Sequence, residues 1–151
     1  MRDVLDRDCI EASHRRVSDI GGVGCAEITW REYSQLVEKF GEPTVGNGDH
    51  AGSLCSLVLL AVGKLGGREP NYHSDLDIVF LYEAEGSTKA VHPSRRNKTT
   101  TNQHFFSQLA QRITKVVTQL GPQGRLYELD PRLRPTGKNG SLAVSIDELS
   151  R

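Results

Sequence analysis

Residues 63–77 read GKLGGREPNYHSDLD, and this stretch decides how the fold is interpreted. A mostly apolar run, residues 57–62, precedes it, and a second apolar run, residues 78–82, follows it. Short apolar runs bounded by glycine and polar residues are typical of buried strands. The sequence therefore predicts two strands joined by a turn that contains glycine and lysine, with two aspartates at the start of the second strand.

The composition is that of one globular domain. The chain has 151 residues, 36% of them hydrophobic, and a formal net charge of zero from 19 basic and 19 acidic side chains. This balance gives no reason to expect a nucleic acid or a membrane surface as a partner, and no apolar run is long enough to span a membrane. The three cysteines show no Cys-x-x-Cys spacing and are predicted to be free thiols in a reducing compartment. The first residues, MRDVLDR, do not resemble a signal peptide, so a cytoplasmic protein is expected.

Two helices are predicted from the spacing of apolar residues. The first is expected over residues 26–40, with Thr29 and Glu32 as a capping box and Gly41 at its end. The second, residues 103–120, carries apolar side chains at spacings of three and four. Both would bury one face against a sheet.

The remaining segments are predicted to be strands and loops. Residues 44–53 are rich in glycine and predict a loop. The polar stretch 83–102 is longer than most internal loops and is interpreted as a mobile excursion or a functional lid. Four strands are predicted, over residues 54–62, 75–82, 125–130 and 141–146. Together with the helices they predict an α+β fold with a mixed central sheet and flanking helices.

The chain is expected to divide into an N-terminal helical and loop segment, residues 1–50, and a core, residues 51–151. Ser145 and Glu148 have the spacing of a capping box, so a helix is predicted to begin near Ile146, close to the last residue. A helix this short is marginal by itself. We therefore expect the chain to be a fragment of a longer multidomain protein; a natural frayed tail is the alternative.

Asp75 and Asp77 are the first candidate metal ligands. They are two positions apart, so on a strand they lie on the same face. Two adjacent carboxylates repel each other unless a cation joins them. Oxygen ligands favour Mg²⁺ or Mn²⁺, and Mg²⁺ usually keeps substrate phosphates among its ligands. The pair predicts a divalent metal site, with a solvated turn at the start of a strand as the alternative.

The turn before these aspartates has features of a phosphate site. Gly63 allows the backbone to approach a phosphate closely, and Lys64 offers a positive charge. The turn is not a Walker loop, because no Ser or Thr follows Lys64, and it lacks the Gly-x-Gly-x-x-Gly pattern of dinucleotide-binding domains. A plain glycine-rich turn is the alternative.

A third group of candidate residues lies in the sequence DPRLRP, residues 130–135. Its prolines favour an extended chain, on which Asp130, Arg132 and Arg134 share one face. A third carboxylate would complete a two-metal site, and two guanidinium groups would bind triphosphate oxygens. A surface salt bridge between Asp130 and an arginine is the alternative.

Three motifs in this order resemble a known family. They are GKLGGRE at residues 63–69, NYHSDLD at residues 71–77 and GRLYELDPRLRPTG at residues 124–137. Together they resemble the nucleotidyltransferase domain of the glutamine synthetase adenylyltransferases, bifunctional bacterial regulators of nitrogen assimilation within the DNA polymerase β-like superfamily. The resemblance covers about residues 57–145 and implies a nucleotidyltransferase fold like the palm of polymerase β.

The resemblance also implies roles for individual residues. Asp75, Asp77 and Asp130 match the metal-binding carboxylates and are expected to be catalytic. The implied nucleotide-binding residues are Gly63, Lys64, Ser74, Arg132 and Arg134. ATP is the implied substrate, with Mg²⁺ or Mn²⁺ as cofactor. Pro70 departs from the family pattern, which has Leu or a similar residue there, and is expected to shorten any helix in the turn.

The implied reaction is transfer of AMP from ATP to a tyrosine hydroxyl of glutamine synthetase. The family has two such domains per chain, one that attaches AMP and one that removes it by phosphorolysis to ADP. The sequences LYELD, residues 126–130, and LAQRI, residues 109–113, look more like the attaching domain. A PII-type signal protein, acting through the rest of a longer chain, is a further implied partner. The alternatives are the removing domain, an inactive regulatory or docking module, and a nucleotidyltransferase with a small-molecule acceptor.

Overall fold

The computed structural model describes residues 24–61, 76–92, 98–119, 129–130 and 140–150. Its helices are α1 (Gly24–Phe40), α2 (Asn102–Gln119) and α3 (Ile146–Leu149). Its strands are β1 (Glu42–Val45), β2 (Leu57–Ala61), β3 (Leu76–Tyr82), β4 (Gly86–Lys89), β5 (Leu129–Asp130) and β6 (Ala143–Ser145). This mixture of helices and small sheets agrees with the predicted α+β class. Within the described ranges, no helix is both long enough and apolar enough to cross a membrane.

β3 is the strand that organises the larger sheet. β2 pairs antiparallel with one of its edges, with Ala61 opposite Ile78 at the end of the pairing. β5 and β6 both pair in parallel with the other edge, β5 at the beginning of β3 and β6 at its end, where Ala143 lies opposite Phe80. The chain therefore leaves this edge after β5 and returns to the same edge as β6.

The hydrophobic core lies between this sheet and the two long helices. Alternate residues of β3, namely Ile78, Phe80 and Tyr82, belong to it. The rings of Tyr82 and Phe106 stack with their centroids 5.2 Å apart, which joins the sheet to α2. α2 contributes five buried side chains to this core, Phe105, Phe106, Leu109, Ala110 and Ile113. The predicted amphipathic helix is confirmed, with bounds shifted by one residue.

α1 ends where the sequence predicts, but it begins earlier. Its last residue is Phe40, and Gly41 follows with a φ of 87°, the left-handed conformation that often terminates helices. The predicted capping box at Thr29 and Glu32 is wrong. A cap must stand at the first turn, whereas the described helix already runs from Gly24, so that Thr29 is buried inside it.

A second, smaller sheet joins β1 and β4, and the sequence analysis did not predict it. The pairing is antiparallel, from Glu42 opposite Lys89 to Val45 opposite Gly86. The loop predicted over residues 44–53 is therefore wrong at its beginning, where Thr44 and Val45 belong to β1.

The interpretation of residues 83–102 as an excursion or lid is also wrong in part. Residues 86–89 form β4, and the returning chain lies beside it: the Thr88 N–H donates a hydrogen bond to the carbonyl oxygen of Thr100 at 2.8 Å. Ser87 and Thr101 form an isolated antiparallel bridge. Both ends of the segment are thus tied into the small sheet, and residues 93–97 lie outside the described part of the chain.

Asn102 and Gly86 hold the small sheet against α2. The Asn102 side chain is fully buried, and its Nδ2 donates to the carbonyl oxygens of Thr44 and Ala84, each at 2.9 Å. A Cβ on Gly86 would lie 2.7 Å from the nitrogen of Gly46 and 2.9 Å from Nδ2 of Asn102. Only glycine fits at this position without displacing backbone.

The end of the described chain agrees with the sequence analysis. β6 lies within the predicted fourth strand, and α3 follows it directly. Ser145 is the N-cap of α3, with its Oγ accepting a hydrogen bond from the N–H of Glu148 at 3.3 Å. The predicted start of this helix is confirmed.

Candidate active site

Asp77 and Asp130 are the predicted site residues that lie within the described chain. Both belong to strands, Asp77 to β3 and Asp130 to β5. The other predicted residues lie outside the described ranges: Gly63, Lys64, Ser74, Asp75, Arg132 and Arg134. The strand pairing around the two described aspartates therefore provides the geometry of the site.

Asp77 and Asp130 are register partners on neighbouring parallel strands. β3 and β5 pair Leu76 with Leu129 and Asp77 with Asp130. Neighbouring strands lie about 4.8 Å apart, and residues directly opposite each other occupy the same face of a sheet. Two aspartates from distant parts of the sequence are thus brought to adjacent positions.

Alternation along β3 places this pair on the face that points away from the helical core. Ile78 and Phe80, at the even-numbered positions, are buried in that core, so position 77 falls on the opposite face. Leu81 and Val144 are register partners on this second face and are also buried. Position 77 of the strand therefore alternates onto the same face as apolar positions further along the sheet.

The pair lies at the end of the sheet where β2 and β3 are connected. β2 ends at Ala61, which is opposite Ile78, the residue directly after Asp77. The chain leaves β2 and enters β3 at this end of the sheet. Gly63 and Lys64, the predicted phosphate-binding residues, belong to that connection in the sequence.

The chemistry of the two aspartates fits a divalent cation. Two carboxylates at directly opposed positions repel each other, and a cation shared between them removes this cost. Their oxygens are the ligands that Mg²⁺ and Mn²⁺ prefer. Asp75, the third predicted carboxylate of this end of the sheet, lies outside the described residues, and the described residues alone contain no group of three potential metal ligands.

Two perturbed groups lie away from the aspartate pair, near the other end of β3. Tyr82 is buried and donates its hydroxyl hydrogen to Glu85; burial, and then this hydrogen bond, raise the pKa of the phenol well above its usual value. Burial raises the pKa of the Cys55 thiol to about 11, and Cys55 Sγ lies 3.4 Å from the carbonyl oxygen of Ala84. Both groups are neutral at pH 7, which suits a structural role.

Comparison with known proteins decides the family. The model of the family described as glutamate-ammonia ligase adenylyltransferase matches residues 17–151, a range that includes both Asp77 and Asp130. The chain belongs to this family. The resemblance found in the sequence motifs is thereby confirmed.

Curated relatives carry the name bifunctional glutamine synthetase adenylyltransferase/adenylyl-removing enzyme. The chain is 39% identical over 117 residues to the relative from Thioalkalivibrio sulfidiphilus and 38% identical over 117 residues to that from Shewanella loihica, covering 78% of this chain in each case. It is 34% identical over 151 residues to the relative from Shewanella oneidensis, covering 98% of this chain. The chain spans between 11% and 15% of the length of these relatives.

The two aspartates could be identified from the sequence, but the arrangement of their strands could not. The sequence pattern predicts strands that contain β5 and β6, and it does not indicate that both pair with one edge of β3. Such a shared edge leaves no pattern in a single sequence, because each strand is short and the pairing partners are far apart along the chain.

Proposed function

We propose that this chain contains a Mg²⁺-dependent nucleotidyltransferase site that transfers AMP from ATP to a tyrosine hydroxyl of glutamine synthetase. The register pairing of Asp77 with Asp130 is the observation that carries the proposal. Membership of the glutamate-ammonia ligase adenylyltransferase family supports the reaction, and the name of the relatives supports the protein acceptor. We further propose a nucleotidyltransferase fold like the palm of polymerase β, supported by the mixed sheet with helices on one face.

In the proposed reaction, the tyrosine oxygen forms a bond to the α-phosphorus of ATP. The bond between this phosphorus and the oxygen of the leaving pyrophosphate breaks, and the hydroxyl proton passes to solvent. Asp75, Asp77 and Asp130 would hold Mg²⁺, which when bound would neutralise phosphate charge and favour the ionised hydroxyl.

Further residues of the chain would bind the nucleotide. Their positive charges and backbone N–H groups would stabilise the negative charge that develops on the phosphate oxygens during transfer. The proposed set is Gly63, Lys64, Ser74, Arg132 and Arg134. A PII-type signal protein is proposed to regulate the longer family proteins rather than to contact this set.

Transfer of labelled AMP tests the proposal. The purified chain is incubated with glutamine synthetase, Mg²⁺ and ATP labelled at the α-phosphate, and label is expected on tyrosine. We expect Asp77→Asn to lower the rate about 10³-fold, because a ligand and a negative charge are lost together. Asp147→Asn, which neutralises an exposed carboxylate of α3, is the matched control and should change the rate by less than about twofold. Equal rates for the two variants would contradict the assigned site.

The direction of the reaction needs its own experiment, because the name of the relatives includes both attachment and removal of the adenylyl group. The attaching direction is proposed because LYELD and LAQRI look more like the attaching domain. The chain is therefore also incubated with adenylylated glutamine synthetase, phosphate and Mg²⁺. Formation of ADP faster than AMP transfer would assign the chain to removal instead.

A further inference from the structure

The loop after β1 is closed at its base by backbone hydrogen bonds. The Val45 N–H donates to the carbonyl oxygen of Ser53 at 2.9 Å, and the Gly52 N–H donates to the carbonyl oxygen of Val45 at 2.7 Å. Residues 46–51 lie between these anchors and are all exposed. Exposed loop tips of this kind tolerate chemical change to the chain.

The tip contains an asparagine followed directly by a glycine, Asn47-Gly48. In this order of residues the backbone nitrogen of the glycine can attack the amide carbon of the asparagine side chain and close a succinimide ring. Glycine favours the attack because it has no side chain to obstruct it and a backbone that reaches many conformations. Intramolecular reactions are fast when the reacting atoms can meet in the right orientation, and asparagine is accordingly a thermolabile residue.

The fold leaves both residues of this pair open to reaction. Gly48 has a φ of 90°, and a Cβ built on it would meet nothing within 4 Å. Its carbonyl oxygen accepts a hydrogen bond from the Ala51 N–H at 3.1 Å, but its own N–H donates none to a described residue. The Asn47 side chain likewise makes no hydrogen bond within the described part of the chain. Neither the attacking nitrogen nor the amide that it would attack is held in place.

Asn102 shows the opposite arrangement in the same molecule. Its side chain is fully buried, and its Nδ2 donates to the carbonyl oxygens of Thr44 and Ala84, each at 2.9 Å. The residue that follows is Gln103, whose side chain would hinder attack by its backbone nitrogen. Asn102 therefore serves as an internal control for the effect of burial and hydrogen bonding.

We propose that Asn47 is a site of deamidation in the folded protein. The Gly48 nitrogen loses its proton to hydroxide and forms a bond to Cγ of Asn47. The bond between Cγ and Nδ2 then breaks, and Nδ2 takes a proton from water and leaves as ammonia. Water opens the ring at either of its carbonyl groups, which gives aspartate or isoaspartate at position 47. The net change consumes water and releases ammonia, with no oxidant or reductant.

The modification changes the charge of the loop but not the bonds that anchor it. A carboxylate replaces a neutral amide, which adds one acidic side chain to a chain that has 19 basic and 19 acidic ones. The Lys89 ammonium lies beside the base of the same loop, because a Cβ on Gly52 would be 3.6 Å from its Nζ. The hydrogen bonds of Val45 and Gly52 lie outside the modified pair, so the product should keep the small sheet.

Timed incubation of the whole chain, followed by peptide mapping, tests the proposal. Trypsin releases residues 40–64 as one peptide, in which Asn47 carries the only side-chain amide. A synthetic peptide of the same sequence is the unfolded reference. In the folded chain we expect both aspartate and isoaspartate at position 47, formed at a rate within about tenfold of that in the peptide. Both rates should rise from neutral to mildly alkaline pH, because the attacking nitrogen must lose its proton.

Two glycine variants test the route through the ring. Gly48→Ala should slow the conversion of Asn47 about tenfold, because the new Cβ hinders the attacking nitrogen and restricts the backbone. Gly52→Ala is the matched control, since Gly52 lies in the same loop with a φ of 85° but does not follow an asparagine. It should change the rate by less than about twofold. Thermal unfolding of each variant shows that the fold is retained.

Other outcomes would overturn the site. A rate in the folded chain more than about tenfold below that of the peptide would show that the loop protects Asn47. Equal rates in the parent and Gly48→Ala, or aspartate without isoaspartate, would exclude the ring. Conversion of Asn102 as fast as that of Asn47 would show that burial and hydrogen bonding do not select the site. Asn139, which also precedes a glycine, lies outside the described residues, and its tryptic peptide, residues 139–151, is measured separately.

Discussion

The two sheets of this molecule are built in different ways. The central sheet consists of apolar strands, and alternate residues of β3 enter one core with α1 and α2. The small sheet of β1 and β4 is more polar and depends on main-chain pairing, the buried amide of Asn102 and the space left by Gly86. The aspartate pair belongs to the first sheet and Lys89 to the second. Substitutions of the aspartate pair in the central sheet should therefore affect the reaction, whereas substitutions that disturb the small sheet should affect folding.

The largest effect is expected where the central sheet carries the aspartate pair. Asp77→Asn and Asp130→Asn should each lower AMP transfer about 10³-fold. The double variant should be no more than about tenfold worse than either, because residues that act as a unit are not additive. In urea unfolding without metal, these variants should be at least as stable as the parent, because each substitution removes the repulsion between the two carboxylates. Fully additive losses would show that the two carboxylates act separately.

The next effect is expected in the small sheet, at Asn102. Asn102→Asp keeps the shape of the side chain but removes its donors, so that a carboxylate faces the carbonyl oxygens of Thr44 and Ala84. We expect the free energy of unfolding to fall by about 3–5 kcal/mol, as for an uncompensated buried charge. Gln103→Glu makes the same chemical change at an exposed neighbouring position and should be neutral or slightly stabilising at a helix N-terminus. Similar urea midpoints for the two variants would show that the hydrogen bonds donated by Asn102 do not stabilise the small sheet.

A smaller loss is expected at Gly86. Gly86→Ala would force the new Cβ against backbone of β1, and we expect a cost of about 2–3 kcal/mol. Gly48→Ala is the matched change at a glycine with φ of 90° and open space around it, where the strained backbone alone should cost about 1–2 kcal/mol. Thermal and urea unfolding would distinguish the two. A larger loss at Gly48 would mean that backbone conformation, and not space, limits the small sheet.

The smallest effect is expected at Cys55, which links β1 to the connection between β3 and β4: its N–H donates to the carbonyl oxygen of Pro43 and its thiol to that of Ala84. Burial raises the pKa of its thiol to about 11 from the ordinary 9.0. A raised thiol pKa favours the neutral form in the folded chain, so its contribution is complete below about pH 9 and is lost as the pH rises to about 11. The stability of the parent should fall through this range by about 1–2 kcal/mol more than that of Cys55→Ala. If the free energy of unfolding, measured with urea, changes with pH in the same way for the parent and for Cys55→Ala, the thiol does not make this contribution.

The central sheet could be predicted because its signals are local. Apolar runs predicted β2 and β3, and the spacing of Phe105, Phe106 and Leu109 predicted the helix that covers them. Asp77 was recognisable as a candidate from its place at the start of an apolar run. Its pairing with Asp130 could not be obtained from strand patterns alone, because register between distant strands is decided by tertiary packing.

The small sheet escaped prediction because its strands lack the usual patterns. β1 contains Pro43, a residue that is uncommon inside strands, and β4 reads GSTK, a sequence typical of loops. Their pairing depends on hydrogen bonds made by residues elsewhere in the chain, such as Asn102.

The parallel pairing of β3 with β5 also bears on how the chain folds. β2 and β3 are close in the sequence and can pair early, whereas β5 must be brought back across α2, and long-range pairings of this kind form slowly. During refolding we expect the amides of β2 and β3 to become protected from hydrogen exchange before those of β5; simultaneous protection would count against this order. A partly folded chain would then carry Asp77 without its partner. If the proposed metal site is correct, metal binding would report the completion of folding, not merely the presence of the motif.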